Sequence, residues 1–383
     1  MSKYGQPSRT DTGLLSPLSR QKLLVETPHS LAAPGERWPV VAGIPYLRTG
    51  REPLVADTLH LLDEGREDEA LALLLGDQDD WAQTPSASLA DRLAVVRGSM
   101  TFREAMDGLA FGGVGTYFAH RWSDPTFLSG LALAEAHWTC PARIFELACG
   151  AGHFLREFSR FCPDVSGGDV VFAKLWLARR YVAPQARLIC FDAAQPWPLA
   201  DDAADLLFCH DAFYFLPQKP HVAAEMRRVA AGPVLVGHAH NALVDNLSSG
   251  APLAPAQYAA LFEAPTLYDD AVLTGALLGG IVPRAAAQAE LAGVAAVSIA
   301  SRAPRARAVI GGLAMPADGT VVRRNPLYQD GLIAWPSPRY QREYGPLASY
   351  PDRAEGPLEA VAGDRSVERL VRRRVLVDLP AEW

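Results

Sequence analysis

Cysteine is scarce, and its spacing excludes the commonest cysteine chemistries. Cys140, Cys149, Cys162, Cys190 and Cys209 contain no C-x-x-C pair, so neither a zinc ribbon nor a thioredoxin-like dithiol is written into the chain. Most of them fall on or beside predicted buried strands, where a free thiol behaves as a small hydrophobe; this points to a reducing compartment. Long apolar runs are lacking too. The longest, near residues 271–283, is broken by Gly and Pro and is too short to span a bilayer. The first twenty residues have no apolar segment of the kind a secretory leader needs. A cytoplasmic protein without a membrane partner is the expectation. An excess of positive charge is also absent, with 36 Lys and Arg against 43 Asp and Glu. Phosphate contacts need concentrated cations, so DNA is not an expected partner.

What is present suits a globular α/β chain. With 49% apolar residues over 383 positions, a full core can be buried without disulfides, in two or three folding units. Residues 1–21 read as a disordered tail. Residues 22–50, with Trp38-Pro39-Val40-Val41-Ala42-Gly43-Ile44-Pro45-Tyr46-Leu47, read as a small β-hairpin domain. Residues 51–138 read as a helical extension: a helical hairpin over 52–76, a linker over 78–88, and helices over 89–138 with a break near 111–115. From 139 to 315 short apolar strands alternate with helices, the pattern of a parallel sheet covered on both faces. Strands are predicted at 142–148, 165–169, 187–192, 205–210, 233–238, 295–300 and 307–312. A helical insert is predicted over 241–292. Residues 316–383 form a C-terminal arm, irregular over 321–350.

The chemistry gathers at one loop. Ile144-Phe145-Glu146-Leu147-Ala148-Cys149-Gly150-Ala151-Gly152-His153 is an apolar strand that ends in an acid and turns through G-x-G into a helix. Glycines at such a turn let backbone approach a ligand, and the helix start offers free N–H groups. A dinucleotide fingerprint, G-x-G-x-x-G, would place a third glycine where Leu155 stands, which weakens a nicotinamide reading. Glu146 also suits a cationic amino-acid ligand better than a pyrophosphate. Three further acids, Asp169, Asp192 and Asp211, close the next three predicted strands. A carboxylate at Asp169 can accept both hydroxyls of a ribose, and one at Asp192 can accept from an adenine amino group. The carboxyl edge of an open α/β sheet is where ligands bind.

On these residues the chain resembles the class I S-adenosylmethionine-dependent methyltransferases. Glu146 to His153 looks like the family's first motif, Asp169 like its ribose-binding acid, and Asp192-Ala193 like its adenine-facing pair. The run from Pro196 to Ala212 looks like the approach to its fourth strand. The resemblance spans residues 142–240 and departs at Ala148, where the family usually carries Gly. It implies a Rossmann-like, doubly wound core of seven strands and S-adenosylmethionine as cofactor. It implies Glu146, Ala148, Gly150, Gly152, Asp169, Asp192, Ala193 and Asp211 as its contacts. Residues 22–50 look like the last strands of a zinc-ribbon-like accessory domain without its cysteines, so no zinc is predicted there.

For the acceptor side the candidates are His210, as a general base, and Tyr214, as a pocket wall beside Phe213 and Phe215. Methyl transfer from a sulfonium is an in-line displacement, so the enzyme chiefly holds its nucleophile aligned. His238 and His240 stand two apart and would share a strand face; no third ligand is evident, and no metal is predicted. Tyr117 would lie over the sulfonium and Arg121 would meet the methionine carboxylate. Residues 335–344 mix aromatics with Arg and would line a pocket or a subunit contact, leaving a homodimer open. The leading expectation is methyl transfer to a small organic acceptor. Its rivals are a protein or RNA acceptor, and a catalytically inactive cofactor-binding scaffold.

Overall fold

A computed structural model describes residues 11–82, 84–248 and 250–383. Five short strands come first: β1 (Asp11–Leu15), β2 (Lys22–Thr27), β3 (Ser30–Ala33), β4 (Glu36–Val41) and β5 (Ile44–Pro45). Each runs antiparallel to the next. The expected hairpin is β4–β5, but its sheet extends back to Asp11. Residues 11–21, expected in a disordered tail, therefore form β1 and a turn, while residues 1–10 lie outside the described residues. The reason is non-local. The Leu15 N–H donates to the Pro198 carbonyl at 3.1 Å, a contact that local patterning does not reveal.

Six helices follow: α1 (Glu52–Asp63), α2 (Glu67–Leu74), α3 (Leu89–Arg97), α4 (Phe102–Gly108), α5 (Gly112–His120) and α6 (Pro125–Ala136). Ser88 caps α3, a Thr101/Glu104 capping box opens α4, and Asp124 caps α6 just before Pro125. The break between α4 and α5 falls at 109–111, slightly before the expected 111–115, which instead starts α5 with Gly112 at φ +53°. Every residue of α6 is buried. A helix that is apolar all round belongs inside a protein, and burying each of Phe127, Leu128, Leu131 and Leu133 contributes about 1.5–3 kcal/mol.

The central sheet contains β6 (Arg143–Leu147), β7 (Asp164–Asp169), β8 (Arg187–Cys190), β9 (Leu206–His210), β10 (Val234–His240), β11 (Thr266–Asp269) and β12 (Ala296–Ser301). Its order is β11-β12-β10-β9-β6-β7-β8, and β12 alone runs against its neighbours. This is the Rossmann-like doubly wound core that the sequence implies. Alternate side chains feed opposite faces: Leu206 and Phe208 join one core, Leu207 and Cys209 the other. Helices α7 (His153–Phe158), α8 (Phe172–Leu177), α9 (Lys219–Val229), α10 (Pro255–Ala259) and α11 (Asp270–Gly279) accompany the strands, and α6 packs against α11 and β10. Strand order reverses between β6 and β9, which opens a crevice at the carboxyl edge. Two expectations are corrected. No strand occupies 307–312, and the strand completing the sheet is β11, inside the section expected to be helical. Four residues are too few to show a strand period.

The C-terminal arm holds β13 (Val321–Arg324), β14 (Tyr328–Gln329), β15 (Leu332–Ile333), α12 (Pro338–Tyr344), β16 (Glu359–Val361), α13 (Arg365–Arg372) and β17 (Leu376–Val377). The stretch expected to be irregular thus contains short pairings and a helix. The arm is tied to the core, since Arg156 grips Asp378 at 2.8 Å and the Trp383 indole donates to the Ala119 carbonyl at 2.9 Å. No helix among the described residues is long and apolar enough to cross a membrane.

The N-terminal sheet covers the edge of the central one. Leu47 N–H donates to the Cys190 carbonyl of β8 at 2.7 Å. Asp77 clamps this junction, accepting from Tyr46 Oη at 2.6 Å, Arg48 Nη1 at 2.6 Å and Arg51 Nε at 3.0 Å. Arg48 and Asp77 are both buried, with 7% of each side chain exposed. Asp77→Ala strands a buried guanidinium, so urea denaturation is expected to show a loss of about 3–5 kcal/mol. A loss near that of an exposed substitution would show that the clamp carries no load.

Candidate active site

The glycine loop folds as its residue types require. The loop between β6 and α7 turns through left-handed backbone at Ala148 (φ +54°), Gly150 (φ +54°) and Gly152 (φ +82°). At Gly150 a Cβ would meet the Phe118 ring at 3.2 Å, a contact tight enough that the ring would have to shift. At Gly152 a Cβ would meet Ala178 Cβ at 2.9 Å. Gly152 is thus needed for helix packing, and it stands apart from the cavity that the other predicted cofactor residues line. Ala148 lines that cavity while holding a conformation that suits glycine.

The four predicted acids come together. Glu146, Asp169, Asp192 and Asp211 all line one cavity of about 1080 Å³ at the carboxyl edge, with Ala193, His210 and Tyr214. Glu146 is buried, and its Oε2 has no hydrogen-bond partner. Burial, with Asp169 nearby, pushes its carboxyl well above the usual range despite Arg121. Asp169 ends β7 and accepts from Gly150 N–H at 3.0 Å and Val171 N–H at 2.9 Å. A carboxylate has about four acceptor sites, so two remain for a pair of hydroxyls. Asp192 accepts from Ala194 N–H through Oδ1 at 2.8 Å.

Asp211 is held differently. At φ +55°, it accepts from Tyr117 Oη at 2.8 Å and Tyr214 Oη at 3.0 Å. Arg121 Nη1 lies 3.5 Å away and also pairs with buried Asp124 at 3.1 Å. Burial raises the Asp211 carboxyl, but His238 and Arg121 outweigh it and hold it below the usual carboxylate range. Arg121 lies 4.8 Å over the Tyr117 ring, and Tyr117 stacks on Tyr344 of α12.

The histidines take three distinct places. His210 packs beside Phe154 and Phe208, which also touch each other, and both its ring nitrogens are buried and without a partner among the described residues. Gly130 and Gly237 make room for its ring, since a Cβ at either would fall within 2.7 Å of Nδ1. Burial, with Arg121, lowers its pKa to about 3, so the ring is neutral and a poor proton acceptor at neutral pH. His238 lies in a bulge of β10, where the pairing with β12 slips by one residue between Val236 and Ala239, and His240 stands just past it. His238, at φ +49°, pairs through Nδ1 with Asp270 at 2.8 Å. Burial opposes its charge, but Asp270 and Asp211 outweigh burial and raise it to about 9. His240 stacks on Tyr214 at 4.0 Å between ring centroids.

Several lining residues escaped the sequence reading. Residues 78–88, read as a linker, supply Asp79, Asp80 and Trp81 to the cavity wall; the Trp81 indole donates to the Phe215 carbonyl at 3.1 Å. Asp124 and Asp270 had no local motif to mark them. The aromatic-rich stretch 335–344 was the one outlying signal, and its Tyr340, Glu343 and Tyr344 line the cavity.

Residues 145–232 match the family model described as a methyltransferase domain, a span that contains all four strand-end acids and the glycine loop. Among solved structures the chain is similar to the YcgJ protein of Bacillus subtilis, with 19% identity over 37% of this chain and 69% of that one, TM-score 0.33. It is similar to phosphoethanolamine N-methyltransferase 2 of Haemonchus contortus in complex with S-adenosyl-L-methionine, at 17% identity, 45% and 47% coverage, TM-score 0.33. A third is S-adenosylmethionine-bound CalS10, an amino pentose methyltransferase of Micromonospora echinaspora, at 25% identity, 33% and 56% coverage, TM-score 0.27. No curated protein matches the chain. Residues 145–232 thus form a methyltransferase domain within the Rossmann-like core.

Ala148 gives a direct test of the loop. A non-glycine residue in left-handed backbone costs about 1–2 kcal/mol, so Ala148→Gly is expected to raise the melting temperature. A lowered melting temperature would mean that the methyl group packs usefully and offsets its strain.

Proposed function

We propose that this enzyme methylates a small organic acceptor by in-line displacement, within the cavity at the carboxyl edge of the sheet. The observation that carries this reading is the roof. Helix α12 brings Tyr340, Glu343 and Tyr344 over the edge, and Tyr344 stacks on Tyr117. A macromolecular acceptor would call for an open approach instead. The cavity, at about 1080 Å³, exceeds the roughly 300–1,000 Å³ of a typical single-ligand pocket, which leaves room for an acceptor beside the cofactor.

S-adenosylmethionine supplies the methyl group when bound. On this reading Asp169 accepts the ribose hydroxyls with its two spare acceptor sites, and Asp192 and Ala193 face the adenine. Glu146 Oε2, unpartnered and buried, receives the methionine ammonium, whose charge offsets the burial of the carboxylate. Arg121 faces the methionine carboxylate, and Ala148 and Gly150 let backbone approach. Asp211 stays ionised at the sulfonium end and fixes the Tyr117 and Tyr214 hydroxyls. Tyr214 and His210 are assigned to the acceptor side. Tyr214 orients the nucleophile by hydrogen bonding, and neutral His210 accepts a hydrogen bond from it without storing its proton. Alignment then supplies most of the rate.

Two experiments test this. Asp169→Ala is expected to weaken S-adenosylmethionine binding by roughly 10–100-fold, since a hydrogen bond to a charged group is worth about 1.5–3 kcal/mol. Unchanged affinity would place the ribose elsewhere. Incubation of the enzyme with methyl-labelled S-adenosylmethionine and a cell extract, followed by ultrafiltration, reads the acceptor class. Label in the small-molecule filtrate is expected. Label retained on protein or RNA would overturn the small-acceptor reading, and none in either fraction would favour a scaffold.

A further inference from the structure

The sequence predicted no metal because His238 and His240 had no third ligand near them. The fold supplies one from another strand. Donor atoms of Asp211, His238 and His240 all lie within 4.8 Å of one another. We propose that these three residues bind a first-row divalent metal ion, of the zinc or iron(II) kind, behind the cavity wall that Asp211 and Tyr214 form.

The donor set fits that class. Imidazole nitrogens favour zinc, iron, copper or nickel over magnesium or calcium, and two histidines with one carboxylate leave further coordination positions open. Each donor is available. His238 uses Nδ1 on Asp270, which leaves Nε2 free. Among the described residues no hydrogen bond occupies the His240 ring, which rests flat on Tyr214. Asp211 accepts one hydrogen bond on each oxygen, and a carboxylate can accept those and still coordinate an ion.

The surroundings are those of a metal centre. A ligating histidine usually passes its other ring N–H to a carboxylate, which fixes tautomer and orientation. Asp270 does this for His238, and is itself held by Ser129 Oγ at 2.8 Å and Ser298 Oγ at 2.7 Å. The bulge that re-aims His238 leaves it in left-handed backbone, a strain that persists where a side chain must be placed for function. The ion would also anchor Asp211 between the two tyrosines that face the cavity.

The test is metal binding by the full-length, untagged chain. Protein stripped with a chelator is loaded with Zn²⁺, desalted and assayed by plasma mass spectrometry. Affinity is read by competition with a chromophoric chelator. One zinc per chain is expected. His238→Ala and His240→Ala should each weaken binding at least 10-fold, and Asp270→Asn, which changes only the positioning residue, by about 10–100-fold. Exposed His60→Ala should leave it unchanged. Retention of no zinc by the wild type, or equal retention by His238→Ala and His240→Ala, overturns the proposal. Should either variant fail to fold, Co²⁺ loaded into the wild type decides. A visible spectrum shifted from that of aqueous Co²⁺ supports nitrogen ligation, and an unshifted one overturns it.

Discussion

A single buried carboxylate, Asp211, organises the active-site end of this molecule. It stands just past β9, at the point where the sheet's connections reverse direction. An unpartnered charge there would be costly. Its hydrogen bonds reach Tyr214, three residues on, and Tyr117, which lies 94 positions earlier on α5. Arg121, from the turn after α5, adds its charge and also binds Asp124 at the start of α6. Satisfying Asp211 therefore pulls the helical extension down over the sheet edge. Tyr344 closes against Tyr117 from the C-terminal arm, so three separate stretches of chain enclose the cavity.

The glycine loop depends on a second carboxylate in a similar way. Asp169 holds Gly150 N–H and its own Val171 N–H. The loop after β6 is thereby fastened to the end of β7 while part of the carboxylate stays free. Phe118 packs over Gly150, and the His153 ring bonds to the Phe118 carbonyl at 2.9 Å. A cofactor seated there meets backbone set by the sheet and a lid set by the helices. The methyltransferase domain match over 145–232 leaves out the lid residues Tyr117, Tyr340 and Tyr344, which come from the helical extension and the C-terminal arm.

What the sequence made legible follows from how far each signal reaches. Apolar strands are local patterns, so six strands of the sheet and all four strand-end acids could be read directly. The strand β11 could not, because four residues in an Ala- and Pro-rich stretch carry no usable period. Strand β1 could not, because Pro198 is its anchor. The histidine pair was legible, but its partners were not. Asp211 and Asp270 meet His238 only through strand order and the β10 bulge. The burial of His210, expected as a base, is something a sequence does not display. Its ring packs beside Phe154 and Phe208, in space left by Gly130 and Gly237.

The central claim is that the carboxyl-edge cavity holds S-adenosylmethionine on its strand-end acids. Isothermal titration of the full-length protein with S-adenosylmethionine tests it most directly. Saturable binding at one molecule per chain, displaced by S-adenosylhomocysteine, is the predicted result. No heat of binding and no displacement at millimolar ligand would contradict it.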